Sequence, residues 1–208
     1  RHWNNNPKVK VMPNPIIARP SLRSDGNNKI VMAAGRLGEQ KNYHALLRVW
    51  KSVEAKHPDW SLYIWGDGEQ KNLLIQQIKE QGLRHAELKG YTPQVIEHYP
   101  GASVFAVTSH YEGFALMIVE AMAAGVPVVS YDCPCSPRDI ISDGVDGWLV
   151  KQGDEEAMAE RICWMIEHEE ERKKMGEAAF NNSAQYDMSI VARKWIALFE
   201  SLIANKNQ

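Results

Sequence analysis

The sequence predicts an α/β domain built on a doubly wound, Rossmann-like parallel sheet. Three observations predict it. Short apolar runs alternate with longer segments of helical period along most of the chain. A run such as Val104-Phe105-Ala106-Val107 is apolar at every position, as a strand covered on both faces must be. Strands joined through helices give a parallel sheet, and right-handed crossovers wind it on both sides.

The elements follow in order. Arg1 to Ser24 has no clean period, and Pro13 and Pro15 exclude helix, so this stretch reads as an extended connection. Asp25-Gly26-Asn27-Asn28 supplies turn chemistry before a strand over Ile30 to Ala34, ended by Gly35. Tyr43 to His57 has helical period, with Leu46, Leu47, Val49, Trp50 and Val53 on one side. Ser61 to Trp65 is a strand stopped by Gly66-Asp67-Gly68, and a helix over Asn72 to Gln81 closes on Gly82. Glu87 to Lys89 is a brief strand before Gly90, and Pro93 begins a short helix. Val104 to Thr108 is a strand, Phe114 to Ala124 a helix, Val126 to Ser130 a strand and Trp148 to Val150 a last short one. Helices are expected over Glu155 to Glu167, Glu171 to Tyr186 and Ile190 to Ala204.

At 208 residues the chain is long enough for one α/β domain and too short for two large ones. Lys and Arg number 24 against 26 Asp and Glu, a net charge of -2 that argues against a nucleic-acid binder. The odd set of Cys133, Cys135 and Cys163 lacks zinc-site spacing, and Pro134 leaves the first two too close for an ordinary bridge. Free thiols in a reducing compartment are expected. No leader-like run opens the sequence, and no apolar run reaches the ~20 residues that a membrane helix needs. The expectation is a soluble, cytoplasmic domain.

Ligands of doubly wound sheets sit beyond the carboxyl ends of the strands, so chemistry is sought there. After the first strand, Gly35-Arg36-Leu37-Gly38-Glu39-Gln40-Lys41 is not a P-loop, because Gln40 stands where that motif needs glycine before lysine. It leaves Arg36, a fork, and Lys41, a point charge, at a strand end, which suits a diphosphate; two solvated surface charges fit as well. Gly66-Asp67-Gly68 lacks the third glycine of a dinucleotide fingerprint and reads as a tight turn.

The segment after the fourth strand, Ser109 to Pro127, says most. Gly113 allows a sharp entry into a helix whose first free N–H groups, at Phe114, Ala115 and Leu116, form an anion site. Glu120 is an acid among Leu116, Val119, Met122 and Ala123, and ribose hydroxyls are suitable donors to it. Glu112, on the other side of the helix start, is placed to meet a sugar beyond the phosphates. A cap residue and a core-edge acid are the plainer reading of this pair. Asp132 to Asp139, with Cys135 and Arg138, is a polar loop at the same rim; it fits contact with a transferred sugar and a purely structural turn equally.

These residues resemble a known family. Glu112 to Glu120 followed by Ala121-Met122-Ala123-Ala124-Gly125-Val126-Pro127 is similar to the E-x7-E signature of retaining glycosyltransferases of family 4. Val11-Met12-Pro13-Asn14-Pro15, Gly35-Arg36-Leu37 with Lys41, and Asp143-Gly144-Val145-Asp146-Gly147-Trp148-Leu149-Val150 agree with it in order. The resemblance implies the C-terminal half of a GT-B enzyme, two facing Rossmann-like domains with the active site between them. It divides the chain into residues 1–24, a connection or remnant of the N-terminal domain, 25–187, the donor-binding domain, and 188–208, a helix crossing back to the N-terminal half.

It implies that Arg36 and Lys41, with the amides of Phe114, Ala115 and Leu116, hold the diphosphate of a nucleoside diphosphate sugar. Glu120 would hold the ribose, the backbone at Gly90 and Tyr91 the base, and Glu112, the catalytic position, the donor sugar beside Gly113, Cys135 and Arg138. Transfer in the family retains the anomeric configuration without a metal, by stabilising the leaving diphosphate.

The implied reaction moves a hexose or N-acetylhexosamine to a glycan or lipid-linked acceptor, which the absent N-terminal domain would contact. The Asp132-Cys133-Pro134 loop resembles those of bacterial surface-polysaccharide enzymes and favours a UDP-sugar. The full-length enzyme would work in the cytoplasm, peripheral at the inner face of the membrane. The isolated domain would bind nucleotide but transfer little, and Trp195, Leu198 and Phe199 would be partly exposed. A sugar-nucleotide epimerase of the same fold and a non-catalytic module remain as alternatives.

Overall fold

The computed structural model describes residues 9–206; the asparagine run at the start of the expected connection lies outside it. Six strands form one parallel sheet: β1 (Ile30–Ala34), β2 (Ser61–Trp65), β3 (Ala86–Gly90), β4 (Val104–Val107), β5 (Val128–Tyr131) and β6 (Gly147–Val150). Their order is β3-β2-β1-β4-β5-β6, so the winding reverses between β1 and β4. This is the expected doubly wound α/β sheet, and the reversal opens a crevice at the strands' carboxyl ends.

The helices are α1 (Tyr43–Lys56), α2 (Lys71–Gln81), α3 (Leu116–Ala123), α4 (Pro137–Ile140), α5 (Glu155–Glu167), α6 (Glu169–Ser183) and α7 (Met188–Lys206). Each face of the sheet has its own core. Trp50, Leu74 and Ile162, from α1, α2 and α5, fill one. Tyr99, Ile118 and Met122 fill the other, with Ala179 of α6 beneath them. At roughly 25 cal/mol per Å² of apolar surface removed from water, these two layers carry most of the folding drive. Arg172 is buried and donates to the carbonyls of Ile166 (3.1 Å) and Gly26 (3.0 Å), tying the end of α5 to the turn before β1.

Several boundaries differ from the sequence expectation for local reasons. The element after β3 is a 3₁₀ helix over Val95–Gly101, because Pro100 removes a donor that an α-helix would need there. Helix α3 begins at Leu116, two residues later than expected, since Ala115 has φ −76° and ψ 74°. The chain bends at Gly113 and Phe114 before entering α3, as expected, without a positive φ at the glycine; Cys135 (φ 62°) and Ser136 (φ 72°) take left-handed values in the neighbouring loop. The connection is docked along part of its length. Ile16 is buried and pairs with the Tyr186–Asp187 backbone, and Arg19 Nε meets Asp187 at 2.8 Å.

The loops after β1 and β2 are zipped backbone to backbone. Gly35 N–H donates to Trp65 O and Leu37 N–H to Asp67 O, both at 2.9 Å. A Cβ on Gly66 would lie 1.9 Å from the Gly35 carbonyl oxygen, and one on Gly68 2.4 Å from that of Leu37. The Gly66-Asp67-Gly68 turn therefore exists to let two main chains touch.

Candidate functional site

A cleft of about 380 Å³ opens at the β1/β4 reversal. Its floor is the backbone of Ala34-Gly35-Arg36 and Gly66-Asp67; Trp65, Tyr99 and Val95 form the apolar walls, and Met117 and Glu120 of α3 face them. Tyr91 and Thr92 stand at the rim. Trp65 is held flat by His98, stacked at 3.9 Å.

Arg36 lies at one end of this cleft, 79% exposed, with one side-chain hydrogen bond among the described residues, 3.2 Å from Nε to Glu69. An exposed pair of that length in water holds the guanidinium weakly. Lys41 is placed differently. It is 12% exposed, and its Nζ donates to Glu112 Oε1 at 2.7 Å, with Met117 Sδ at 3.7 Å. Glu112 is 5% exposed and also accepts from Ser109 Oγ at 2.6 Å. Lys41 and Glu112 thus form a buried, charge-assisted pair in the wall beside the cleft. Burial and the nearby Glu112 charge push up the Tyr43 hydroxyl and raise the Cys133 thiol to about 11.

Glu120 belongs to the cleft itself. Its Oε2 accepts from the hydroxyl of Tyr99 at 2.9 Å, and Oε1 has no protein partner among the described residues. Burial first, and then the Glu120 charge, raises the Tyr99 phenol well above its ordinary range, so it remains a donor.

At the start of α3 the amides are only partly free. Ala115 N–H donates to Ser136 Oγ at 2.9 Å, and Leu116 N–H to Phe114 O at 2.8 Å. Of the three amides expected at an anion, Phe114 alone is open among the described residues. Gly113 is exposed, and a Cβ there would meet nothing, so packing does not require a glycine. The 132–137 loop reaches over this helix end, and Glu112 N–H also donates to Pro134 O at 3.2 Å. Arg138 turns back onto Asp132, Nε to Oδ1 at 2.6 Å, and Cys135 is exposed at the loop tip.

The structure thus brings Arg36, Glu120 and Tyr91 to one cleft and sets Lys41 and Glu112 in its flank, while Arg138 is held in its own loop. Sequence reasoning passed over Tyr99, Ser109 and Ser136. Ser136 lay inside a loop already singled out, but Tyr99 carried no signal except its place just before β4.

The doubly wound sheet, with its cleft at the reversal point, has the Rossmann-like α/β architecture of GT-B glycosyltransferase structures. The chain belongs to the group 1 glycosyl transferases, whose family model matches residues 16–182. It is 37% identical over 166 residues to the amylovoran biosynthesis glycosyltransferase AmsD of Erwinia amylovora, covering 79% of this chain and 46% of that protein. It is 30% identical over 175 residues to a poly(ribitol-phosphate) alpha-N-acetylglucosaminyltransferase of Staphylococcus aureus, covering 83% of this chain and 36% of the other. The chain therefore spans less than half the length of these curated relatives. Among solved structures, S. aureus TarM with fondaparinux, alpha-GlcNAc-glycerol and UDP superposes with a TM-score of 0.83 at 27% identity, over 92% of this chain and 40% of that one. Anabaena HepE with UDP-glucose does so at 0.77 and 26% identity, over 84% and 49%. No helix among the described residues is long and apolar enough to cross a membrane.

Proposed function

We infer that this chain is the donor-binding, C-terminal half of a retaining glycosyltransferase of family 4. The parent enzyme moves a hexose or N-acetylhexosamine from a UDP-sugar to a glycan or lipid-linked acceptor in surface polysaccharide synthesis. The observation that carries this reading is the cleft at the β1/β4 reversal, with Arg36 at one end and the Glu120 carboxylate in its wall. The relatives named above support the polysaccharide assignment, and the UDP and UDP-glucose in the TarM and HepE structures support the donor.

Each residue then has a task. Arg36, held by one weak contact, swings onto the diphosphate, and the Phe114 amide at the mouth of α3 adds a donor. A phosphate taking the Ala115 amide displaces Ser136 Oγ. Lys41, paired with Glu112 at rest, turns its ammonium to the leaving diphosphate when the donor binds, and the Glu112 carboxylate meets the donor sugar. No metal is required, because side-chain cations and amides balance the leaving charge. The base lies between the Trp65 wall and the Gly90–Tyr91 backbone. Full-length protein works in the cytoplasm at the inner membrane face, and this half alone binds donor without transferring sugar. The apolar stripe of α7, Trp195, Phe199 and Leu202, is what a helix crossing to an N-terminal half would present.

Calorimetric titration with UDP, GDP, ADP and CDP, with and without magnesium, tests the reading. Selective, metal-indifferent binding of UDP is expected. Arg36→Ala should weaken UDP about tenfold and leave uridine unchanged, since only the former carries the diphosphate. Equal loss on both ligands would misplace the phosphates.

A further inference from the structure

The geometry points to Tyr99 as a positioning residue that makes this cleft select ribose over 2′-deoxyribose, by anchoring one oxygen of Glu120 while the other stays open to the ligand. This rests on the donor-site reading above and goes beyond it in naming which sugar-nucleotides the site refuses and which residue outside the α3 signature enforces the choice.

Three observations meet here. Tyr99 is fully buried in the wall of the cleft, its ring against Phe105 at a centroid distance of 5.3 Å, so its hydroxyl has one place to be. The hydroxyl donates to Glu120 Oε2 at 2.9 Å, and because an ionised carboxylate has no proton, the direction of that bond is fixed. Glu120 lies in the middle of α3, where a long side chain with three torsions would otherwise have a choice of rotamers.

The consequence is a half-buried carboxylate that is oriented but not satisfied. Two carboxylate oxygens offer roughly four lone-pair sites, and Tyr99 uses one. A vicinal diol brings two donors to such a group; a 2′-deoxyribose brings one and leaves an acceptor desolvated without a partner. Sites built to bond a substrate hydroxyl reject the analogue lacking it far more strongly than apolar pockets reject an added group. Donors built on thymidine diphosphate carry the 2′-deoxy sugar, so the site discriminates between two large classes of activated sugars without reading the base. Phe at position 99 would keep the ring in the core and release the carboxylate, which would then rotate among rotamers and lose its grip on the diol.

The test compares UDP and 2′-deoxy-UDP by calorimetry on the unaltered chain, Tyr99→Phe and Glu120→Gln, with thermal unfolding midpoints to confirm that each variant is folded. The unaltered chain should prefer UDP by about tenfold or more. Tyr99→Phe should lose most of that preference through weaker UDP binding, with 2′-deoxy-UDP within about twofold of its original affinity; a merely structural tyrosine would weaken both alike. Glu120→Gln should lose the preference as well. Equal weakening of both nucleotides by Tyr99→Phe, or an unchanged ratio, overturns the assignment. Equal affinity of the unaltered chain for the two nucleotides overturns it too while leaving the donor site standing. Failure of the unaltered chain to bind any nucleoside diphosphate removes the donor site and this inference together.

Discussion

Lys41 and Glu112 place opposite charges 2.7 Å apart where little water reaches. The value of such a pair lies less in net stabilisation than in what its loss exposes, because the surviving partner is left buried and uncompensated. Glu112→Ala should therefore cost about 3 kcal/mol of stability, seen as a lower urea midpoint, as well as any effect on transfer. A loss of turnover in that variant has to be read beside its unfolding curve. Nearby, the Cys133 thiol is raised to about 11 by burial and by Glu112. The unfolded chain ionises this thiol first, so its contribution is complete below the ordinary thiol range and lost as pH climbs to about 11. The drop in urea midpoint between neutral and strongly alkaline pH should be smaller in Cys133→Ala than in the unaltered chain. At neutral pH, exposed Cys135 should react with a disulfide reagent well before Cys133 and Cys163, both buried.

At the scale of elements, α3 shows what a linear sequence hides. Its own N-cap, Ala115, has no side chain able to cap, and the bond that substitutes for one comes from Ser136 in another loop. Ser136 adopts φ 72° to do this, a region costing a non-glycine residue about 1 kcal/mol or more. Ser136→Ala keeps that cost and forfeits the bond, so a destabilisation of about 1 kcal/mol is expected in urea titration. An unchanged midpoint would mean that the contact carries no weight. The strands, the order of helices and the glutamate pair were legible because each depends on residues close in sequence. Arg36, Lys41 and Glu120 could be named from their places after a strand or on a helix. Pairings across long separations were not legible: no local pattern says that Lys41 meets Glu112, or that Tyr99, in a segment whose period Pro100 breaks, donates to Glu120. Nor did the residues reveal that two of the three expected amides are already occupied.

Over the whole molecule, the two cores meet across the sheet and the chain closes on itself, with Ile16 and Arg19 seated against the Tyr186–Asp187 backbone. Helix α7 stands apart from this economy. Trp195, Ile196, Phe199, Leu202 and Ile203 repeat at helical spacing along one side and are all exposed, while Leu198 is half-buried. The exposure of Trp195 and Phe199 agrees with the sequence expectation. Since both rings are exposed and lie 5.5 Å from each other on the helix surface, replacing both with glutamate should leave the thermal midpoint within the small range typical of surface changes. A marked fall would show that the stripe packs on the domain in solution.

The contact between Gly35 and Gly66 bears on how this scaffold can be altered. Where two main chains touch, the distance between them is set by carbonyl and amide radii, and no choice of side chain can widen or narrow it. The floor of the cleft is thus a fixed datum, like the bed of a machine tool, and diversity must be carried by what rises from it. A randomised library at Gly35, Gly66 and Gly68 would return mostly unfolded protein, whereas Tyr91 and Thr92 at the rim can change freely, and changes there are the ones able to redirect the site toward a different base.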